Sequence, residues 1–191
     1  MSSSLHVRIP MERVGVLIGP KGSVKKEIED SLGVELDIDS RTGDVEITLR
    51  EGNPDPSSLL RARDVVLAIG RGFSPERAFR LLRDEDAMLR IIDLREIFGR
   101  SKSDITRVKG RIIGREGKTR RIIEELTGAY VSVYGHTVAI IGGMEQVQVA
   151  EEAIQMLIEG RMHSTVYRYL HRKKREMKRR RALELWEKVY E

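Results

Sequence analysis

The chain carries the same nine-residue phrase twice, 95 positions apart. Val14-Gly15-Val16-Leu17-Ile18-Gly19-Pro20-Lys21-Gly22 is matched by Lys109-Gly110-Arg111-Ile112-Ile113-Gly114-Arg115-Glu116-Gly117. Gly15 pairs with Gly110, Ile18 with Ile113, Gly19 with Gly114 and Gly22 with Gly117, and the register continues through Ile28 and Ile123 to Gly33 and Gly128. A repeat of this kind defines the architectural unit before any other reading. It divides the chain into two modules of roughly 70–80 residues, a size that buries only a marginal core alone, so the two are expected to dock on each other. The repeated phrase, apolar on entry and basic on exit, suits a grip on a phosphate backbone better than a core element.

Composition narrows the setting. There is no Cys among 191 residues, hence no disulfide framework or thiolate metal site. No apolar run reaches the ~18 residues of a membrane span, and the polar start Met1-Ser2-Ser3-Ser4 does not read as a signal peptide. A soluble, cytoplasmic protein without a membrane partner is expected. Arg outnumbers Lys 25 to 10, beside one Asn and three Gln, a composition that suits a thermophile. The net charge of +5 is concentrated: residues 1–80 and 81–160 each hold 12 basic and 13 acidic side chains, whereas 161–181 hold ten basic residues against Glu176 alone. Lys21, Lys25 and Lys26 follow the first glycine pair, and Lys109, Arg111, Arg115, Lys118, Arg120 and Arg121 surround the second. Such clusters are the footprint of a polyanionic ligand.

Alternation at Leu5, Val7 and Ile9 predicts a strand over 5–9, ended by Pro10. A short helix over about 11–18 runs into Gly19, and a second over about 23–32 stops at Gly33. Val34, Leu36 and Ile38, then Val45, Ile47 and Leu49, alternate around Ser40-Arg41-Thr42-Gly43-Asp44 and predict a hairpin. Asp55-Pro56 opens a third helix that stops at Gly70 and Gly72. The second module repeats this order with two edits. About ten residues (95–104) intervene between its first strand (88–94) and the helix leading to Gly114. Its last helix (145–159) matches the first at an offset of 88, so its hairpin region is seven residues shorter. Ser74-Pro75-Glu76 starts a linker helix, and the chain is expected to be helical again from about 162.

Each module resembles a type I (eukaryotic-type) KH domain, in which Gly-x-x-Gly joins two helices packed on a three-stranded sheet. The resemblance implies an α+β fold: a first KH domain over 1–73, a linker helix over 74–87, a second KH domain over 88–160 and a basic helical tail over 161–191. The tandem order, the extended second module and the tail Val166-Tyr167-Arg168-Tyr169-Leu170-His171-Arg172-Lys173-Lys174-Arg175 are similar to the archaeal KH proteins of small-subunit ribosome assembly. That group is related to the eukaryotic pre-ribosomal-RNA processing factor called partner of Nob-one. KH modules clamp about four nucleotides of single strand. The RNA-binding residues so implied are Gly110, Arg111, Ile112, Gly114, Arg115, Glu116, Gly117, Lys118, Arg120 and Arg121, with Gly19, Pro20, Lys21, Gly22, Lys25 and Lys26 in the first copy. The resemblance implies a non-enzymatic protein without cofactor. It implies small-subunit ribosomal RNA near its 3′ end as target, and assembly or translation-initiation proteins as partners.

The two copies are unequal. Pro20 removes a backbone donor from the first loop, and Glu35, Asp37, Asp39, Asp44 and Glu46 make the first hairpin acidic, so the second module is expected to be the main grip. Which of Val16, Leu17, Ile18, Arg111, Ile112 and Ile113 floor a groove and which enter the core stays open on spacing alone. Tyr130 and Tyr134 could stack bases or pack on a helix, and the tail could contact phosphate or be merely solvated. Gly114-Arg115-Glu116-Gly117-Lys118-Thr119 imitates the end of a P-loop, but Ile112 stands where that motif needs its first Gly. His6, His136, His163 and His171 lack metal-ligand spacing, and Asp84-Glu85-Asp86 reads as a solvated turn. Two other classes compete with RNA binding by itself: an RNA-guiding subunit of a nuclease or exosome-like complex, and a protein–protein adaptor with degenerate KH domains.

Overall fold

The computed structural model describes residues 4–190, with side chains through 189; the polar start Met1-Ser2-Ser3 lies outside the described residues. The first module runs β1 (Ser4–Arg8), α1 (Met11–Ile18), α2 (Ser23–Leu32), β2 (Val34–Ile38), β3 (Asp44–Leu49) and α3 (Ser57–Gly70). Two four-residue helices follow, α4 (Pro75–Ala78) and α5 (Arg80–Arg83). The second module runs β4 (Met88–Asp93), α6 (Leu94–Phe98), α7 (Lys102–Ile113), α8 (Lys118–Thr127), β5 (Tyr130–Tyr134), β6 (Thr137–Gly142) and α9 (Met144–Ile158), and α10 (His163–Tyr190) closes the chain. Both sheets are antiparallel with the last strand central, in the orders β1-β3-β2 and β4-β6-β5.

The departures from the sequence reading have local causes. The first strand ends at Arg8; Ile9 leaves the ladder, donates its amide to the Gly43 carbonyl (2.9 Å) and buries its side chain. The predicted linker helix is two short helices. The first is capped by Ser74, whose hydroxyl accepts from the Arg77 amide. Asp55 does open α3 by accepting from the Ser57 amide (2.9 Å). The inserted residues fold as α6 and the first turn of α7, each capped by its own side chain, Asp93 and Ser101. The missing seven residues divide unevenly. Leu36 pairs with Ile47 and Val131 with Ile140, so two are lost in the turn and five in the link from the central strand to the last helix.

Docking of the modules decides which strands are buried on one face and which on both. In β3 only Val45 and Ile47 are buried, whereas every residue of β6 is. Val138 and Ile140 enter the second module's own core, while Ala139 and Ile141 join the core of the first, together with Leu89, Ile91 and Tyr130. The second sheet is therefore sandwiched between its own helices and α3–α5. Alternation fades where both faces are covered.

The tail is not merely solvated. Val166, Tyr169, Leu170 and Met177 of α10 lie in the second core at spacings of three, four and seven residues, an amphipathic stripe. The Tyr169 hydroxyl donates to Glu152, and burial together with that bond pushes the Tyr169 phenol up. Beyond Met177 the described side chains of α10 are exposed.

Candidate nucleic-acid interface

The two Gly-x-x-Gly turns are superimposable in backbone conformation. Gly19 and Gly114 stand at φ 73°, ψ 175° and φ 74°, ψ 175°, a region essentially restricted to glycine. A Cβ on Gly19 would lie 2.9 Å from the Val24 nitrogen, and one on Gly114 would lie 2.7 Å from the Thr119 nitrogen. Lys21 and Glu116 are both left-handed at φ 53°, at a cost of about 1–2 kcal/mol each. The Gly22 amide closes the first turn on the Gly19 carbonyl (3.1 Å) and the Gly117 amide closes the second on the Gly114 carbonyl (3.2 Å), while Pro20 removes from the first turn a backbone donor that Arg115 retains in the second. Free amides at a helix entrance are anion donors.

The side chains around the second turn divide by what they touch. Lys109, Arg115 and Lys118 have no carboxylate within ion-pair distance among the described residues. Arg121 donates to the Glu116 carbonyl (3.2 Å), holding the loop while staying exposed. Burial corrects one expected contact, Ile112, and two others, Arg111 and Arg120, have partners within the protein. Arg111 spends its guanidinium on the carbonyls of Leu157 (3.2 Å) and Arg161, because α7 packs beside the end of α9. Ile112 is fully buried, as is its counterpart Leu17. Arg120 is bound to Glu124 at 3.0 Å. In the first copy Lys21 and Lys26 are exposed, while Lys25 reaches Glu29 at 4.0 Å. Val16, Ile18, Arg111 and Ile113 are half-buried, so Ile18 and Ile113 supply the apolar floor beside each turn.

Gly15 and Gly110 lie one helical turn before the loops, within α1 and α7, and a Cβ on either would meet nothing within 4 Å. Glycine inside a helix costs about 1 kcal/mol relative to alanine, and nothing in the protein requires it here. The open space lies beside the loop.

One repeated device escaped the sequence reading. Glu29 accepts the Leu36 amide (2.9 Å) and Glu124 accepts the Val131 amide (2.9 Å), so each second helix caps an edge-strand N–H with a carboxylate. Both pairs follow the 95-residue offset, which was the signal available. Around this edge the modules diverge. A cleft of about 420 Å³ beside β2 gathers Glu29, Glu35, Asp37 and Glu46 against Lys25 and Arg50. In the second module the linker covers the edge. Arg77 binds Glu124 at 2.5 Å and lies 4.7 Å above the Tyr130 ring, and Arg80 donates to the Gly128 carbonyl (2.7 Å) and Gln146 (2.6 Å). Tyr134 donates to Glu12 (2.6 Å) under Arg13, and Ser132 donates to the Arg71 carbonyl (2.9 Å). Tyr130 and Tyr134 are thus module-docking residues and not stacking platforms. His136 bonds Asp93 (2.8 Å) and His163 the Arg111 carbonyl (2.9 Å), each in a structural role. A helix, not a strand, leads into Gly114, which is not the P-loop arrangement.

Comparison with known proteins agrees with this geometry. Residues 88–175 match the second KH domain of PNO1, described as a eukaryotic-type KH domain (type I), and residues 4–67 match the KH domain. The chain is 53% identical to the KH domain-containing protein MJ0443 of Methanocaldococcus jannaschii over 95% of its own length and 78% of that protein's. It is 27% identical to the pre-rRNA-processing protein PNO1 of Debaryomyces hansenii, covering 93% of this chain and 69% of that one. Among solved structures, Dim2p from the a/eIF2alpha-aDim2p-rRNA complex of Pyrococcus horikoshii superposes with a TM-score of 0.85 at 53% identity, over 92% of this chain and 96% of that one. With two type I folds, two matching Gly-x-x-Gly turns and relatives that span both modules, the chain belongs to the archaeal tandem KH-domain proteins related to PNO1.

Proposed function

We propose that this protein is a non-enzymatic RNA-binding factor of small-subunit ribosome assembly that holds single-stranded ribosomal RNA near its 3′ end, chiefly through the second KH domain. The observation that carries the reading is the second turn, where Arg115 and Lys118 line a cleft with Gly110 and Gly114 and neither has a carboxylate partner among the described residues. Relatives named as pre-rRNA-processing proteins, and one solved with rRNA and a/eIF2alpha, support the target and a translation-initiation or assembly protein as partner. The first module's cleft, with four carboxylates against two cations, favours a protein contact over RNA there.

Crosslinking in cell extract followed by sequencing of the bound RNA tests the target; enrichment elsewhere than small-subunit rRNA would overturn it. Placing Asp at Arg115 and Glu116 puts two exposed anions at the phosphate position. It should abolish binding with little change in melting temperature, while the same change at Pro20 and Lys21 should cost less. Equal losses from both loops would remove the asymmetry. Purified protein with Mg²⁺ and ATP should neither cleave RNA nor hydrolyse nucleotide; turnover lost with Lys118→Ala would refute the non-enzymatic reading.

A further inference from the structure

The insertion that separates the second KH domain from the first builds a basic cleft, and we propose that this cleft seats a further nucleotide of the bound strand, extending the grip beyond the Gly-x-x-Gly turn. The inference rests on the RNA-binding reading above. In the first module β1 joins α1 through Ile9 and Pro10 alone, so nothing comparable can form. In the second, residues 94–101 and the extra turn of α7 enclose a cavity of about 630 Å³ against the turn between β5 and β6.

The lining suits a nucleotide. Arg95, Arg100, Lys102 and Lys109 face it, and no carboxylate lies within ion-pair distance of any of them among the described residues. Four cations around one cavity, none in an ion pair among the described residues, attract phosphate, although Asp93 lies near enough to Arg95 to offset part of its charge. Ile105, half-buried on the second core, offers an apolar surface for a base. His136 is held through Nδ1 by Asp93 (2.8 Å), which leaves Nε2 for a base edge at the cleft. Continuity with the grip is set by α7, which carries Lys102, Ile105 and Lys109 along its length and ends at Gly114. At 1.5 Å per residue, Lys102 stands ~18 Å from the turn along the helix axis and Lys109 ~7.5 Å, so a strand leaving the turn along α7 meets Lys109 at the near end of the cleft and Lys102 at the far end. An acidic peptide is the other polyanion that could meet these cations, but neither that continuity nor the apolar floor serves it.

The test uses the full chain and oligoribonucleotides of four and eight residues from the 3′ end of small-subunit rRNA, titrated at several salt concentrations. The variant is Arg95→Gln/Arg100→Gln/Lys102→Gln, whose three positions are all exposed. The wild type should bind the eight-mer at least tenfold more tightly than the four-mer. The variant should match the wild type on the four-mer, lose most of the gain on the eight-mer, and show a salt slope on the eight-mer lower by about 2, at roughly 0.7 per phosphate contact. Equal weakening on both lengths, or none on either, would overturn the cleft while leaving the RNA reading intact; no binding of either RNA by the wild type would overturn the reading itself. Octaglutamate competing as well as the eight-mer would assign the cleft to acidic peptide. Micromolar saturation by free AMP or CMP, with no length effect, would assign it to a mononucleotide.

Discussion

Replacing Gly110 by alanine should make the protein more stable and a worse RNA binder, a pair of opposite signs that few single substitutions produce. The residue lies in the last turn of α7, at right-handed φ, with no atom within 4 Å of the Cβ it lacks. Relief of a helical glycine contributes about 1 kcal/mol, and for a chain of 191 residues this corresponds to a rise of roughly 2–4 °C in melting temperature. The added methyl group occupies the space beside the turn where a sugar-phosphate backbone must approach. A loss of about tenfold in affinity, or ~1.4 kcal/mol, is expected. Gly15→Ala should stabilise equally and cost less affinity. Gly114→Ala is the uninformative control, because there the Cβ collides with Thr119 and the fold itself suffers. Thermal melts and fluorescence-anisotropy titrations of one preparation read both quantities. A stabilised variant with wild-type affinity would show that the glycine serves no ligand, and a destabilised one would show that the space beside α7 is not open.

Three further outcomes follow from the packing. Tyr130→Ala removes the ring beneath Arg77 and Arg80 from the module boundary and should cost about 2–4 kcal/mol in denaturant unfolding; a change below 0.5 kcal/mol would mean that the modules hold together without it. Truncation after Gly160 should lower the melting temperature sharply, since it removes the buried Val166, Tyr169, Leu170 and Met177, whereas Lys178→Gln/Arg179→Gln/Arg181→Gln should leave it unchanged and flatten only the salt dependence of RNA binding. Asp93 titrates below its ordinary 3.8 because, against the upward push of burial, the Arg95 amide and the His136 ring favour the carboxylate. Its stabilisation is therefore full above pH 3.8 and lost as pH falls through the lowered folded value. The stability gap between wild type and Asp93→Asn should close only at that acid end, and a gap constant down to pH 2 would exclude the linkage.

The repeat alone determined the architecture. Two copies of one phrase in a common register specified two like modules, and alternation with glycine and proline punctuation placed the repeated strands and helices to within a residue or two, because those signals are local, whereas the broken linker helix and α6 lie outside the repeat and were not placed. Gly19, Gly114 and their neighbours were legible for the same reason: a backbone conformation open only to glycine leaves its mark in sequence. What spacing could not supply was the partner of each side chain. Arg111 and Lys109 are equally basic and two residues apart, yet α9 claims the first and leaves the second free. Tyr130 and Tyr134 carry the composition of a stacking platform, but docking of the first module consumes them. The tail's stripe at Val166, Tyr169, Leu170 and Met177 was dominated by charge until α8 and α9 were in place to receive it. Helical and strand periods report which face of an element is apolar. Only the tertiary structure decides which surface covers that face, and therefore which cations remain for a ligand.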